Sequence, residues 1–406
     1  MTDIYWTGPR ESDCKDAESL IKGSATLYGE NVNGNSAFCK NAPIRVNHNS
    51  YSVEASDFIL NWQLEKIRHD PNCRFMAYNP NCVFGAPESV VKRTLCLNDE
   101  SLMRKLDNKI ELRKLIKNLV PLLPEAILKG RQCSLSYLRR MFVGFDSFVI
   151  QEPVSSGGQG TYLFDENSKT SIEKHISPEG DYLVTAYQES NIPVNVHAVI
   201  FDDRIQLLPA SVQIICAENH RLLYRGADYI AFAQIDTILK KQFLNGSEKI
   251  CKLLQKKGYR GIIGVDAMIV GREVYYLELN NRFQGSSFLI NKELHKQGLP
   301  SLQEMNLHAF QGQKCVVEKL QKLVVPYSFY TYLAEPDNQH AKFLFRRIQN
   351  GKVEGIEEVI SEGYDESQPS EAYATLFSVV FRSNICSVCD KNTSVRIHQN
   401  VKGTSD

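Results

Sequence analysis

The chain has 406 residues, 43% of them hydrophobic and 23% charged, with 47 basic side chains against 47 acidic ones. That balance excludes a global electrostatic pull toward nucleic acid or an anionic membrane, and the length suits two to three domains or one large multi-lobed enzyme. No apolar run approaches the roughly 20 residues of a membrane span. The opening stretch, MTDIYWTGPRESDCKD, lacks the basic and then apolar regions of a signal peptide, so the 11 cysteines read as reduced thiols of a cytoplasmic protein.

Residues 1 to 97 alternate short apolar runs with turn signals. IYW, FMAY and VFGAP look like strands, and SDFILNWQLEKIRH looks like a helix capped by Ser56. Together they predict an α/β lobe with no chemistry of its own. In NDESLMRKLDNKIELRKLIKNLVPLLPEAIL, Asn98 is placed to cap one helix, with Asp99 and Glu100 in its first turn, and Asp107 to cap a second. The second helix runs through Ile110, Leu115, Ile116 and Leu119 until Pro121 and Pro124 stop it. Lys109 lies in its first turn, where a cation is misplaced unless an anion pairs with it; a solvated lysine is the alternative.

FVIQEPVSSGGQGTYLF then reads as a strand, a Ser/Gly loop and a second strand. Gly157, Gly158 and Gly160 let backbone N–H groups converge, as phosphate-cradling loops do, and Ser155, Ser156 and Thr161 add hydroxyl donors. No Lys follows as in GxxxxGK[ST], and no helix follows as in GxGxxG, so an ordinary hairpin loop stays open. DYLVTAYQESNIPVNVHAVIFDDRIQLLPASVQII predicts successive strands with a turn at Asp202-Asp203. Asn195 and His197 share one face there, and an isolated strand histidine is more often structural than catalytic. SEKICKLLQKKG predicts an amphipathic helix capped by Ser247, with Ile250, Leu253 and Leu254 on its apolar face and Gly258 at its end.

Two apolar runs follow, Ile262 to Val270 and Val274 to Leu279, around Gly271-Arg272-Glu273. A three-residue hairpin loop centred on Arg272 sets Asp266 opposite Glu278, both on the face of Asn280, with Leu277 and Leu279 on the other face. Opposed like charges destabilise a strand pair unless a cation sits between them, and two carboxylates plus an amide oxygen suit Mg²⁺. A two- or four-residue loop would separate the carboxylates. Further on, AKFLFRRIQNGKVEGIEEVISEGY reads as strand and helix, and NVKGTSD as a disordered tail. Cys386 and Cys389 form a CxxC with only His398 near it, which predicts two unremarkable thiols rather than a zinc site.

Taken together, an Asn-Lys at a helix start, a strand entering a Ser/Gly loop, a hinge-like strand end, an Asp strand and a Glu-x-Asn strand followed by Asn-Arg span residues about 95 to 320. This order resembles the ATP-grasp superfamily, specifically its carboxylate–amine ligases. The resemblance implies an α/β (α+β) ATP-grasp fold: an N-terminal α/β lobe over 1–97, an ATP-grasp region over 98–320 with a glycine-loop lid subdomain about 125–185, and a C-terminal appended lobe over 321–406. It implies a ligase that activates a carboxylate as an acyl phosphate and joins it to an amine, releasing ADP and phosphate. The cofactors would be ATP with Mg²⁺, or Mn²⁺ in its place. The substrates would be small molecules, by default amino acids or a short peptide, and a homodimer is an open arrangement.

Carried over residue by residue, Asp266, Glu278 and Asn280 are similar to the family's metal ligands, and Lys109 to its nucleotide-contacting lysine. Ser156, Gly157, Gly158, Gly160 and Thr161 resemble its lid, and Ala186, Tyr187 and Gln188 the hinge that reads adenine. Arg282, with Asn281 before it, is similar to the arginine beside the reacting acyl phosphate. One departure stands out. The family's strand before the glycine loop carries a lysine, where this chain has Gln151; its missing charge shifts the burden to Lys109 and Arg282. A kinase or carboxylase without an amine acceptor, and a catalytically silent nucleotide-binding module, are the competing expectations.

Overall fold

The computed structural model describes residues 3–29, 37–38, 53–155, 160–314, 320–335, 339–351, 353, 355–367, 369–389, 394–398 and 401. The first lobe is a parallel sheet of β1 (Ile4–Arg10), β2 (Ile21–Tyr28), β3 (Ala37–Phe38) and β4 (Arg74–Ala77), in the order β3-β2-β1-β4. Parallel strands are buried on both faces, and Trp6 and Phe75 are fully buried here. Helix α1 (Val53–His69) lays Trp62 on Tyr5 and Phe75. It begins ahead of the expected cap at Ser56. VFGAP, residues 83–87, is not a strand: Val83 ends a 3-10 turn, Pro80–Val83, capped by Asn79, which accepts from the Asn81 N–H at 3.1 Å, and residues 84–86 continue as turn and bend. Pro80 has no N–H for a ladder, and the Asn79 side chain offers the backbone a local alternative.

After α2 (Glu88–Val91), helices α3 (Glu100–Asp107) and α4 (Lys109–Ile116) start one residue later than expected. Asp99 caps the first, accepting from Leu102 N–H, and Asn108 caps the second, accepting from Ile110 at 3.0 Å and Glu111 at 3.1 Å. Asn98 instead pairs with the backbone N–H and C=O of Arg260, each at 2.8 Å.

The main sheet is antiparallel. It holds β5 (Glu125–Lys129), β6 (Phe148–Gln151), β7 (Thr161–Phe164), β8 (Asp181–Ala186), β9 (Ile192–Ile200), β10 (Ile205–Glu218), β11 (Arg221–Asp228), β12 (Gly261–Val270) and β13 (Glu273–Asn280), in the order β13-β12-β9-β10-β11-β7-β6-β8-β5. Strands β5 to β8, with α5 (Leu135–Met141) and α6 (Lys169–Ile172), enclose a separate core of Leu138, Phe148, Ile150, Phe164 and Val184.

The long strands bury Val194, Val196, Val265 and Ile269 against α7 (Thr237–Lys256). That helix starts ten residues before Ser247, at the Asp236 cap, and Ser247 donates to the Phe243 carbonyl at 2.8 Å within it. A mid-helix serine satisfied by back-bonding carries no capping signal.

Helices α8 (Ser287–Lys296) and α9 (Leu302–Phe310) precede β14 (Ser328–Leu333), α10 (Gln339–Gln349), β15 (Ile356–Ile360), β16 (Thr375–Phe381), β17 (Cys386–Cys389) and β18 (Ser394–Ile397). Strand β14 pairs with both β11 and β16, and Tyr332 and Phe377 share the core of the long strands. The segment after residue 320 therefore extends the main sheet instead of standing apart from it. Within the expected disordered tail, residues 400–406, Val401 is instead buried in the core with its carbonyl accepting from Tyr332 Oη at 2.7 Å, and 400 and 402–406 lie outside the described residues. Among the described residues no helix is long and apolar enough to cross a membrane, and no cluster of three or more His, Cys, Asp or Glu could hold a metal.

Candidate active site

The β12–β13 hairpin sets Val265 opposite Leu279 and Asp266 opposite Glu278, but Ala267 opposite Tyr276 and Val270 opposite Glu273. The loop is therefore only Gly271-Arg272, not the expected three residues. A bulge at Leu277 adds the residue that a longer loop would have supplied, so the two carboxylates still meet. Gly271, at φ +59°, supplies the left-handed conformation a two-residue turn needs. The bulge also re-aims a side chain: Leu279 is buried in the core as expected, whereas Leu277 turns out and lines the cavity with Met268.

On the other side of β12, Asp266 lies opposite Asn195 of β9. The Asn195 amide donates to Asp266 Oδ1 and, at 2.6 Å, to Gln284 Oε1; the Asn280 amide donates to Asp266 Oδ2 at 2.9 Å. Gln284 reaches this point because Gly264 leaves room: a Cβ there would fall 1.1 Å from Gln284 Nε2. Asp266 is 8% exposed. Burial first, then the charge of Glu278, pushes its carboxyl well above the usual range, against the opposing pull of Asn195, Gln213 and Arg282.

Lys109 finds the anion that its place in a helix first turn demands. Its Nζ lies 3.6 Å from Glu278 Oε2 and donates to the Ser155 carbonyl at 2.7 Å and hydroxyl at 3.1 Å. It is 4% exposed, which rules out the solvated alternative. Its backbone N–H bonds the Pro153 carbonyl at 2.7 Å, so the start of α4 holds the entry to the glycine loop beside β13.

Arg282 lines the cavity two residues beyond β13. It donates to the Phe283 carbonyl at 2.9 Å and Tyr78 Oη at 3.4 Å, with its guanidinium 5.8 Å from the Tyr78 ring centroid. Burial opposes its charge, but Tyr78, Glu278, Asp266 and Asp107 together hold its pKa above the ordinary value. Asn281 is not brought into the cavity. Its amide donates to the Met103 carbonyl at 2.9 Å and its Oδ1 accepts from Asn81 at 3.2 Å, which ties the hairpin to α3 and the first lobe.

One cavity of about 580 Å³ is lined by Asp266, Glu278, Asn280 and Arg282, by Ala186, Tyr187 and Gln188, and by Gln151 and Thr161. The Tyr187 N–H is spent on the Ser147 carbonyl at 2.9 Å. Gly160 is held in a left-handed turn at φ +63°, with its carbonyl accepting from Glu152 N–H at 2.8 Å. Ser156, Gly157 and Gly158 lie outside the described residues. The sequence reading missed Arg10, Tyr78, Arg113 and Gln213 as lining residues. Asn195 was seen only as sharing a face with His197, which itself bonds Ser287 at 3.0 Å in the core.

The residues present fit Mg²⁺. Two opposed carboxylates and the Asn280 amide are joined by Asn195 Oδ1, a buried acceptor with no hydrogen-bond partner among the described residues. Mg²⁺ takes one or two carboxylates and leaves its other positions to water and phosphate. Such a set holds a metal–phosphate complex better than a bare ion.

Residues 106–286 match an ATP-grasp domain. The chain also superposes on carboxyaminoimidazole ribonucleotide synthase from Aspergillus clavatus complexed with ATP, at 11% identity and a TM-score of 0.64, covering 94% of each chain. It is similar to the biotin carboxylase domain of Hydrogenobacter thermophilus 2-oxoglutarate carboxylase, in complex with MgADP and bicarbonate, at 12% identity and 0.61, covering 95% of this chain and 87% of that one. L-amino acid ligase from Bacillus licheniformis aligns at 10% identity and 0.60, covering 94% and 93%. No curated protein matches the sequence. Identities this low establish the fold and leave the reaction to the site. Residues 106–286 thus match an ATP-grasp domain, on a fold that these proteins share with the chain along nearly its whole length.

Proposed function

We propose that the protein is an ATP-dependent ligase that joins a carboxylate to an amine through an acyl phosphate. The observation that carries this reading is the opposition of Asp266 and Glu278 across β12–β13, with Asn280 on the same strand and Arg282 just beyond it. Two paired carboxylates kept in a cavity are costly without a cation.

Asp266, Glu278 and Asn280 would hold Mg²⁺, which when bound neutralises charge on the phosphates of ATP. Ala186 to Gln188, with Met268 and Leu277, would enclose the base at the far end of the cavity. Arg282 would orient the substrate carboxylate. One carboxylate oxygen attacks the γ-phosphorus and ADP leaves. The amine then attacks the acyl carbon, and phosphate leaves carrying that oxygen. Arg282 would stabilise the oxyanion of this second step, a role worth about 3 kcal/mol for one well-placed donor. Lys109, which donates to Ser155 and pairs with Glu278, would hold the entry to the glycine loop beside the filled site, where exclusion of water protects an acyl phosphate. No protein nucleophile is needed.

The test is a screen of amino-acid pairs and short peptides for ADP release, with mass spectrometry of the products and a bicarbonate arm in place of the carboxylate. ADP release that requires both a carboxylate and an amine, with a condensed product, supports the reading. Release that needs no amine points to a kinase or carboxylase instead.

A further inference from the structure

Position 151 carries no charge, and its amide is committed: Gln151 Nε2 donates to Thr161 Oγ1 at 3.3 Å, across the base of the β6–β7 hairpin. The donors of Lys109 are taken up by Ser155 and Glu278. A different cation faces the same cavity. Arg113 lies on α4 one turn beyond Lys109, and residues four apart share a helix face. It is 2% exposed and lines the cavity. Its Nη1 is 3.1 Å from Glu125 Oε2, outside hydrogen-bond geometry, and its Nε and Nη1 are buried donors with no hydrogen bond among the described residues. Burying donors without acceptors costs free energy. A position that only filled the core would be better served by leucine or methionine.

The location of Arg113 tells what the spare donors face. Glu125 begins β5 opposite Thr185, the residue before the hinge at Ala186. Arg113 also feels the charge of Glu278, on β13. The guanidinium thus stands between the base end of the cavity and its carboxylate end. The phosphates of a nucleotide placed as above cross that interval. Burial lowers the pKa of Arg113 despite both carboxylates, as expected of a cation short of anionic partners.

Building on the nucleotide-binding reading above, we propose that Arg113 is the phosphate-binding cation of this site, in place of a lysine at 151, with Glu125 as the counter-ion it exchanges for nucleotide. Position 151 is free to be neutral because the charge has moved to a neighbouring element.

The test is calorimetric titration of MgADP into four forms of the full chain: wild type, Arg113→Met with Glu125→Gln, the same pair with Gln151→Lys added, and Gln151→Lys alone. The neutral pair avoids stranding a buried carboxylate, and its thermal midpoint checks folding. The pair is expected to lose about 10- to 100-fold in MgADP affinity, the scale of a lost charged hydrogen bond. Gln151→Lys should recover about tenfold of that loss, and recovery by a charge on another strand cannot come from a structural role of Arg113. Gln151→Lys alone, which asks for no change in the core, should shift affinity less than about threefold, because the cation is already supplied. Unchanged affinity in the neutral pair, no recovery, or a large gain from Gln151→Lys alone each overturns the proposal. If wild type itself fails to bind MgADP, the nucleotide reading falls, and this inference falls with it.

Discussion

Asp228 and Asp266 are both buried, yet their surroundings differ in kind. Asp228, at the end of β11 and fully inaccessible, accepts from the backbone N–H groups of Ala231 at 2.7 Å, Ile385 at 2.7 Å and Cys386 at 3.1 Å. Asp266 is ringed by side-chain amides and faces a second carboxylate. Burial raises the pKa of each, and then they part: backbone donors pull Asp228 back down, whereas Glu278 drives Asp266 further up. A carboxylate held by fixed backbone donors is a fastener, here pinning the Cys386 ribbon to the main sheet. A carboxylate set against its like, among side-chain amides, is one that the cation proposed above would relieve.

Replacing the acid by its amide separates the two roles. Asp266→Asn and Glu278→Gln should each cut turnover by at least about a thousandfold, with circular dichroism and thermal midpoint near wild type, because the hairpin keeps its apolar face. Near-normal ADP release by either variant at low Mg²⁺ would remove that residue from the ligand set. Asp228→Asn should do the reverse and leave the turnover of folded protein intact. Arg282→Lys comes next, with kcat lower by roughly two to three orders of magnitude and nucleotide affinity near wild type, since a lysine cannot make the two parallel bonds. Lost ATP binding with kcat retained at saturation would assign Arg282 to the nucleotide site instead.

Smaller effects sharpen the structural side. Asp228→Ala orphans buried donors on two segments and should cost about 3 kcal/mol in chemical denaturation; a loss below about 1 kcal/mol would show the fastener dispensable. His197, fully buried two residues from Asn195, has its pKa pushed down to about 3 by burial. The folded state then binds fewer protons than the unfolded state between about pH 6.5 and 3. Its contribution is complete above the unfolded value and is lost as pH falls toward the folded one, at about 1.4 kcal/mol per unit. His197→Gln, which can still reach Ser287, should flatten that acid limb of stability. An unchanged slope would mean that another group sets it.

Strand alternation placed Glu278 and Asn280 on one face, but Asp266 was set beside them by a three-residue loop that the hairpin does not have, and only the bulge at Leu277 restores the pairing. The bulge was not legible, because it arises from a two-residue turn reconciled with the sheet, and it sent Leu277 to the cavity instead of the core. Caps were misplaced where two candidates adjoin: Asn98 beside Asp99, and Asp107 beside Asn108, differ only in which backbone groups lie within reach. Ser247 looked like a cap because the apolar spacing after it is clean, while the true start at Asp236 lies behind Gly246. Arg113 was invisible for a different reason. A basic residue in a polar-looking helix carries no mark of burial until β5 and β8 are folded against it. Asn281, adjacent to a strong motif, took on a role by position that its bonds to Met103 and Asn81 do not allow.

The most direct test of the acyl-phosphate claim follows the oxygen. With the acid and amine found by the substrate screen, the acid is labelled with ¹⁸O in its carboxylate, and the phosphate released is read by ³¹P resonance or mass spectrometry. The mechanism built on Asp266, Glu278 and Arg282 predicts that each phosphate carries one oxygen from the carboxylate, with label entering in step with the condensed product. Phosphate released without label, while condensed product accumulates, would contradict it.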